Sequence, residues 1–111
     1  MTIINLTPHP INIIDEEGNI IKVFESAGVA RATQEDAEIG TLEGIPIIET
    51  EFGEPIGLPE YSQGTYYIVS AITAKAASLS GRNTRDLFLT GKTVRNSDGQ
   101  IIGCQALARY R

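Results

Sequence analysis

The stretch Gly64-Thr65-Tyr66-Tyr67-Ile68-Val69-Ser70-Ala71-Ile72-Thr73-Ala74-Lys75-Ala76-Ala77-Ser78-Leu79-Ser80-Gly81 is where the hydrophobic period of the chain changes, and that change decides the fold class. Its first part, Thr65-Tyr66-Tyr67-Ile68-Val69, is β-branched and aromatic, a composition that suits a pleated, half-buried strand. From Ser70 onward the residues become small, and a serine there caps a helix by accepting from an N–H of the first turn. The pattern predicts a short helix over residues 70–80, with Ile72, Ala76 and Leu79 on one face and Gly81 as its C-terminal stop. Alanines let a helix approach a sheet closely, so this stripe reads as core and not as a cofactor groove.

Toward the N-terminus the chain reads as short strands bounded by turn residues. Ile3-Ile4-Asn5-Leu6 is the first, broken by Thr7-Pro8-His9-Pro10, whose prolines have no N–H to give to a ladder. Ile11-Asn12-Ile13-Ile14 and Ile20-Ile21-Lys22-Val23-Phe24 flank the turn Glu16-Glu17-Gly18-Asn19 and make a hairpin. Val29-Ala30-Arg31-Ala32 is a further short strand candidate. Gln34 to Gly44 is acidic and without clear period, so it reads as an exposed loop or a single helical turn. Ile45-Pro46-Ile47-Ile48-Glu49-Thr50 is strand-like, and Pro46 assigns it to an edge. Residues 52–64 contain three glycines and two prolines and are read as irregular, a length of loop that is often functional.

Toward the C-terminus, Leu87-Phe88-Leu89 is a strand, Val94-Arg95 begins another, and Ser97-Asp98-Gly99 turns the chain into a last strand, Ile101-Ile102-Gly103-Cys104-Gln105-Ala106-Leu107. The expected architecture is a single β-rich α+β domain over residues 1–111. Its strands and hairpins form a mostly antiparallel sheet or small open barrel, with one short helix near residues 70–80.

The composition narrows the function. The net charge is −5, which opposes bulk nucleic-acid or anionic-membrane binding. No apolar run approaches the roughly 20 residues of a membrane span, and no signal-peptide pattern opens the chain, so a cytoplasmic protein is expected. A single cysteine (Cys104) and a single histidine (His9) exclude an internal disulfide and a Cys2His2 zinc site. The charge is divided unevenly. Residues 1–60 hold Lys22 and Arg31 against twelve acids, for −10, while residues 61–111 hold seven bases against Asp86 and Asp98, for +5. Such a split reads either as intramolecular neighbours with a solvated acidic face, or as a basic patch and self-association through complementary surfaces.

Several motifs also have a familiar order. Asn5-Leu6-Thr7-Pro8-His9-Pro10, Gly64-Thr65-Tyr66-Tyr67-Ile68-Val69-Ser70, Arg85-Asp86-Leu87 and Val94-Arg95-Asn96 through Gly99-Gln100-Ile101-Ile102-Gly103-Cys104 resemble, over nearly the whole chain, a family of small bacterial and bacteriophage or prophage proteins of unknown function. The resemblance implies a phage or prophage setting and supplies no catalytic residue.

Three candidate sites follow from the residues. An anion site would combine the helix start at Ser70 with Arg82, Arg85 and Lys92, because N-terminal helix N–H groups and guanidinium forks both suit oxyanions. A helix of this length nevertheless holds its two ends about 15 Å apart. With no glycine-rich Lys-Ser/Thr loop, a P-loop nucleotide site is not supported. A Cys104–His9 nucleophile is the second candidate, opposed by strand alternation that groups Cys104 with Ile102 and Ala106 as a buried structural cysteine. The third is the stiff loop beside Tyr66, where Ile56, Leu58 and Tyr61 either meet a partner or fold over the core as a lid. Asp15-Glu16-Glu17 lacks the ligand spacing of a calcium loop. No catalytic residue, cofactor or metal is assigned. The leading expectation is a non-enzymatic module that contacts a protein partner or forms a homo-oligomer; the alternative is a protein or enzyme binding an anionic metabolite or nucleotide near Ser70 and the arginines.

Overall fold

The computed structural model describes residues 1–110, which form eight strands and one helix. They run β1 (Thr2–Asn5), β2 (Ile11–Ile14), β3 (Ile20–Phe24), β4 (Gln34–Leu42), β5 (Ile45–Phe52), β6 (Thr65–Ile68), α1 (Ala71–Leu79), β7 (Leu87–Arg95) and β8 (Ile101–Arg109). Six strands make one sheet in the order β1-β6-β7-β8-β2-β3, and β4 pairs only with β5. The β-rich α+β class is as expected. Both predicted hairpins, β2–β3 and β7–β8, are antiparallel. The six-stranded sheet is mixed, because short parallel pairings join β1 to β6, β6 to β7, and β2 to β8.

The sheet is strongly curled. Laid flat, its outermost strands β1 and β3 would stand five strand spacings, about 24 Å, apart. Yet the Asn5 side-chain amide of β1 donates to the Phe24 carbonyl of β3 at 2.9 Å, and Asn5 bridges Ser26 just beyond β3. The edges therefore meet at one end without a continuous ladder, which makes an open barrel. Its inner face holds Ile68, Ile11 and Cys104, packed with Ile3, Ile13, Phe24 and Leu107. The opposite face of β1, β6 and β7 buries Leu6, Tyr67, Val69 and Leu87 under Ala74 and Ala77 of the helix, with Ala30, Leu58 and Tyr110 closing the cluster.

Asn5 fastens this closure. It is buried to 1% exposure and uses its full hydrogen-bonding capacity: Nδ2 donates to the His9 and Phe24 carbonyls, and Oδ1 accepts from the backbone N–H and hydroxyl of Thr7. Its own carbonyl accepts from Ala27 N–H, and the Ser26 hydroxyl donates to the Thr7 carbonyl. The Pro8-His9-Pro10 bend is thus held by its middle carbonyl. Gly103 permits the narrow β2–β8 junction, since a Cβ there would stand 2.6 Å from the Asn12 carbonyl oxygen.

The helix begins and ends as its sequence predicts. Ser70 accepts from Thr73 N–H, and the N–H groups of Gly81 and Arg82 return to the carbonyls of Ser78 and Ala77, a Schellman stop. Its buried face differs from the expected one. Thr73, Ala74, Ala76 and Ala77 are buried while Ile72 and Leu79 are 56% and 65% exposed, because the gap above the sheet admits only small side chains.

Three further readings are corrected. Val29-Ala30-Arg31-Ala32 is not a strand; only Arg31 pairs, with Ile56, through two reciprocal bonds of 2.8 Å. Leu87-Phe88-Leu89 and Val94-Arg95 belong to one strand, β7, which passes through Lys92 at a φ of 51°. Gln34 to Gly44 is neither loop nor helical turn. Its residues form β4, half of a hairpin with β5, in which every residue except Phe52 is exposed. Glu43 and Gly44 turn it with φ of 51° and 79°, the positive pair of a type I′ turn. This hairpin is an arm. It stretches the molecule to 53 × 39 × 22 Å and its radius of gyration to 16.9 Å, against about 13 Å for a compact chain of this length.

Replacing Asn5 with alanine should cost about 3 kcal/mol, since the Phe24 and His9 carbonyls and the Thr7 N–H each lose a hydrogen bond in a part-buried corner. Gly103→Ala should cost about 1–3 kcal/mol by overpacking. Urea unfolding midpoints measure both. A loss below about 1 kcal/mol for Asn5→Ala would show that another contact holds the edges.

Candidate functional site

The structure disperses the residues of the expected anion site. The Ser70 hydroxyl is engaged with Thr73 at the helix start, where it faces a shallow groove with Leu6, Pro8 and Val29. Arg82 sits at the far end of the helix and is fully committed. Its guanidinium forks onto the carboxylate of Asp86, with two bonds of 2.8 Å, and its remaining N–H groups reach the Pro59 and Asn83 carbonyls. All five donors are used. Lys92 is exposed on β7 and lines none of the cavities that hold Ser70, Arg82 or Arg85. These four groups do not converge.

The Arg82–Asp86 pair instead clamps the stiff loop. Asp86 is 1% exposed, its backbone carbonyl accepts from Tyr67 N–H of β6, and Arg82 carries the Pro59 carbonyl. Helix end, strand start and loop are joined at this corner. The loop itself divides in two. Leu58 packs on the core beneath the helix as a lid, whereas Ile56 and Tyr61 are 64% and 43% exposed.

Residues drawn from the two expected sites meet elsewhere. Tyr61, Tyr66 and Arg85 line one cleft of 420 Å³ together with Met1, Phe88 and Arg109. Phe88 is the register partner of Arg109, and β6 lies beside β7, so the parallel β6–β7 pairing sets Tyr66 against Phe88 with ring centroids 5.6 Å apart and edge to face. The cleft therefore has an aromatic floor and two cationic groups. Among the described residues the only ion pair is Arg82 with Asp86, and no side-chain hydrogen bond occupies the guanidinium of Arg85 or Arg109. Phe88 was within reach of the sequence, being the residue that alternates away from Leu87 and Leu89. Arg109 was not, because the last strand runs two residues past its expected end.

The arm is the second exposed feature. Register places Leu42 opposite Ile45 and Gly40 opposite Ile47 on one face near the tip, and Glu35 opposite Glu51 on the same face near the base. A bulge at Ile39 separates the two zones. Residues 34–52 carry six acids and no base. At its base the arm is anchored by Gly53 N–H to the Thr33 carbonyl, by the Thr33 hydroxyl to the Glu54 carbonyl, and by the Arg31–Ile56 bonds.

Cys104 and His9 do line a common apolar cleft of 540 Å³, with Pro10, Ile11 and Ile102, but no hydrogen bond joins them. Burial raises the Cys104 thiol above its ordinary pKa, which disfavours the thiolate a nucleophile needs. No three His, Cys, Asp or Glu side chains among the described residues come together as a metal site, and no described helix is long and apolar enough to cross a membrane. Comparison with family models, with curated proteins and with solved structures found no match to this chain.

Removing one half of the clamp, as Arg82→Ala, leaves the Asp86 carboxylate buried and unpaired, and should cost about 3 kcal/mol while loosening the loop. Limited proteolysis between residues 52 and 64 should rise in step. In contrast, Cys104 of the native protein should resist iodoacetamide at pH 8 and react once unfolded; rapid native alkylation would show an accessible thiolate.

Proposed function

We propose that this chain is a non-enzymatic interaction module whose arm, β4–β5, is the contacting element for a protein partner or for a second copy. One observation carries the reading. A two-stranded hairpin projects from the body with Ile39, Leu42, Ile45 and Ile48 more than half exposed. An isolated hairpin is marginal in water, and this one sets Glu35 directly against Glu51, a like-charge pair that weakens it further. Its apolar residues gain their burial when another surface covers them. The arm also resolves the charge split, since six of the twelve acids of the first half lie on it and none of them is ion-paired among the described residues. The phage or prophage setting is proposed from the resemblance of the motifs alone.

A second reading has Arg85 and Arg109 in its favour, as two cations on one cleft suit a small phosphorylated ligand. Thermal-shift titration with phosphate and nucleotides tests it, since ligand at a hundred times its dissociation constant adds about 2.7 kcal/mol. An unchanged melting temperature at millimolar ligand removes that reading.

Replacing residues 34–52 with a short Gly-Ser link should leave the melting temperature of the body within a few degrees of the intact chain, because the arm buries almost nothing. Association should be lost. Native mass spectrometry of intact and armless protein, each isolated from its own lysate, measures this, and equal assembly by the two forms would overturn the reading.

A further inference from the structure

Building on the reading of the arm as the contacting element, we infer that the arm tip of one copy docks in the Tyr66–Phe88–Arg85–Arg109 cleft of a second copy. The two surfaces match in kind and in order. At the tip, Leu42 and Ile45 flank the turn on one face and Glu43 stands at its apex, so an acidic group projects between two apolar ones. In the cleft, the edge-to-face pair of Tyr66 and Phe88 offers an apolar floor, extended by the exposed Met1, and Arg85 and Arg109 stand at its sides. Leu42 and Ile45 cover the rings while Glu43 meets the arginines. A carboxylate facing a guanidinium forms a charge-assisted bond, and at a covered interface that bond is screened less than in an exposed pair.

Charge argues for a second copy as the occupant. The arm carries −6, the described residues 61–110 carry a net positive charge, and within one copy the arm lies out in solvent and, among the described residues, forms no ion pair with the body. Opposite charges that are kept apart in one molecule neutralise when two molecules meet. The arm is also long enough, since nine extended residues reach about 30 Å beyond its base. Tip and cleft are different surfaces, so each can be disabled while the other is kept intact.

That separability supplies the experiment. Sedimentation velocity is run on the full-length wild type, on the cleft variant Arg85→Glu/Arg109→Glu and on the tip variant Leu42→Ser/Glu43→Lys, with circular dichroism confirming that each is folded. The wild type should self-associate, and less so as salt rises. Each variant alone should associate at least about tenfold more weakly. An equimolar mixture of the two variants should recover a 1:1 complex, since it pairs an intact tip with an intact cleft. A wild type that stays monomeric to about 100 µM at low salt overturns the inference but leaves the interaction reading to the armless comparison above. Self-association that survives the cleft variant, or a mixture that forms no complex, overturns the cleft as the docking site while the arm keeps its role.

Discussion

The closure of the sheet on itself rests on one buried amide. β1 and β2 are consecutive in the chain, yet they lie on opposite sides of the sheet order, separated by β6, β7 and β8. A five-residue bend connects them without strain only if the sheet curls until its edges are neighbours. Asn5 makes that arrangement stable, because both edges and the bend present backbone groups to it, and a buried carbonyl left without a donor is costly. The inner cluster of Ile68, Ile11 and Cys104 exists because the curl encloses it. The outer cluster depends on the same curl indirectly, since Leu6 follows Asn5 and pairs its N–H with the Ile68 carbonyl.

A second clamp divides the labour. Arg82 spends all five of its guanidinium donors within the protein, two of them on the buried Asp86, which fixes the loop after the arm and the turn before β7. What remains free lies outside that corner. Arg85, three residues on, lines the cleft, and its backbone N–H donates to the Asn83 side chain. The body's corners are thus held by satisfied polar groups, whereas the arm exposes Ile39, Leu42, Ile45, Ile47 and Ile48 and the cleft keeps two guanidinium groups uncommitted among the described residues; further exposed apolar residues lie on β3, α1 and β8.

Much of the body was legible in the sequence. The strand of Thr65 to Val69, the helix with its serine cap and glycine stop, and the two hairpins at Gly18 and Asp98-Gly99 all announce themselves through turn chemistry and the change of period. The strand of Ile45 to Thr50 was legible too, but the β4 half of the arm was not, for a physical reason. Alternation of apolar and polar residues marks a strand only when one face is buried, and neither face of β4 is. Parallel pairings were equally hidden, because β6 and β7 are neighbours across an intervening helix and no turn records their register. Hence Tyr66 and Arg85 were each recognised as candidates but assigned to different sites. The helix face was misread by size: Ile72 and Leu79 were expected inside, where the sheet leaves room only for alanine and threonine.

The acidity of the arm has one more consequence. Both of its strands present unpaired backbone edges to solvent, the geometry that ordinarily recruits further strands and grows into fibres. Six carboxylates on every copy make arm-to-arm stacking self-limiting, since bringing two arms edge to edge sets −6 against −6. The same charges draw the arm toward any cationic surface during diffusion. The arm therefore acts as a sorting device during encounters, repelling its own kind on approach and lingering beside arginines.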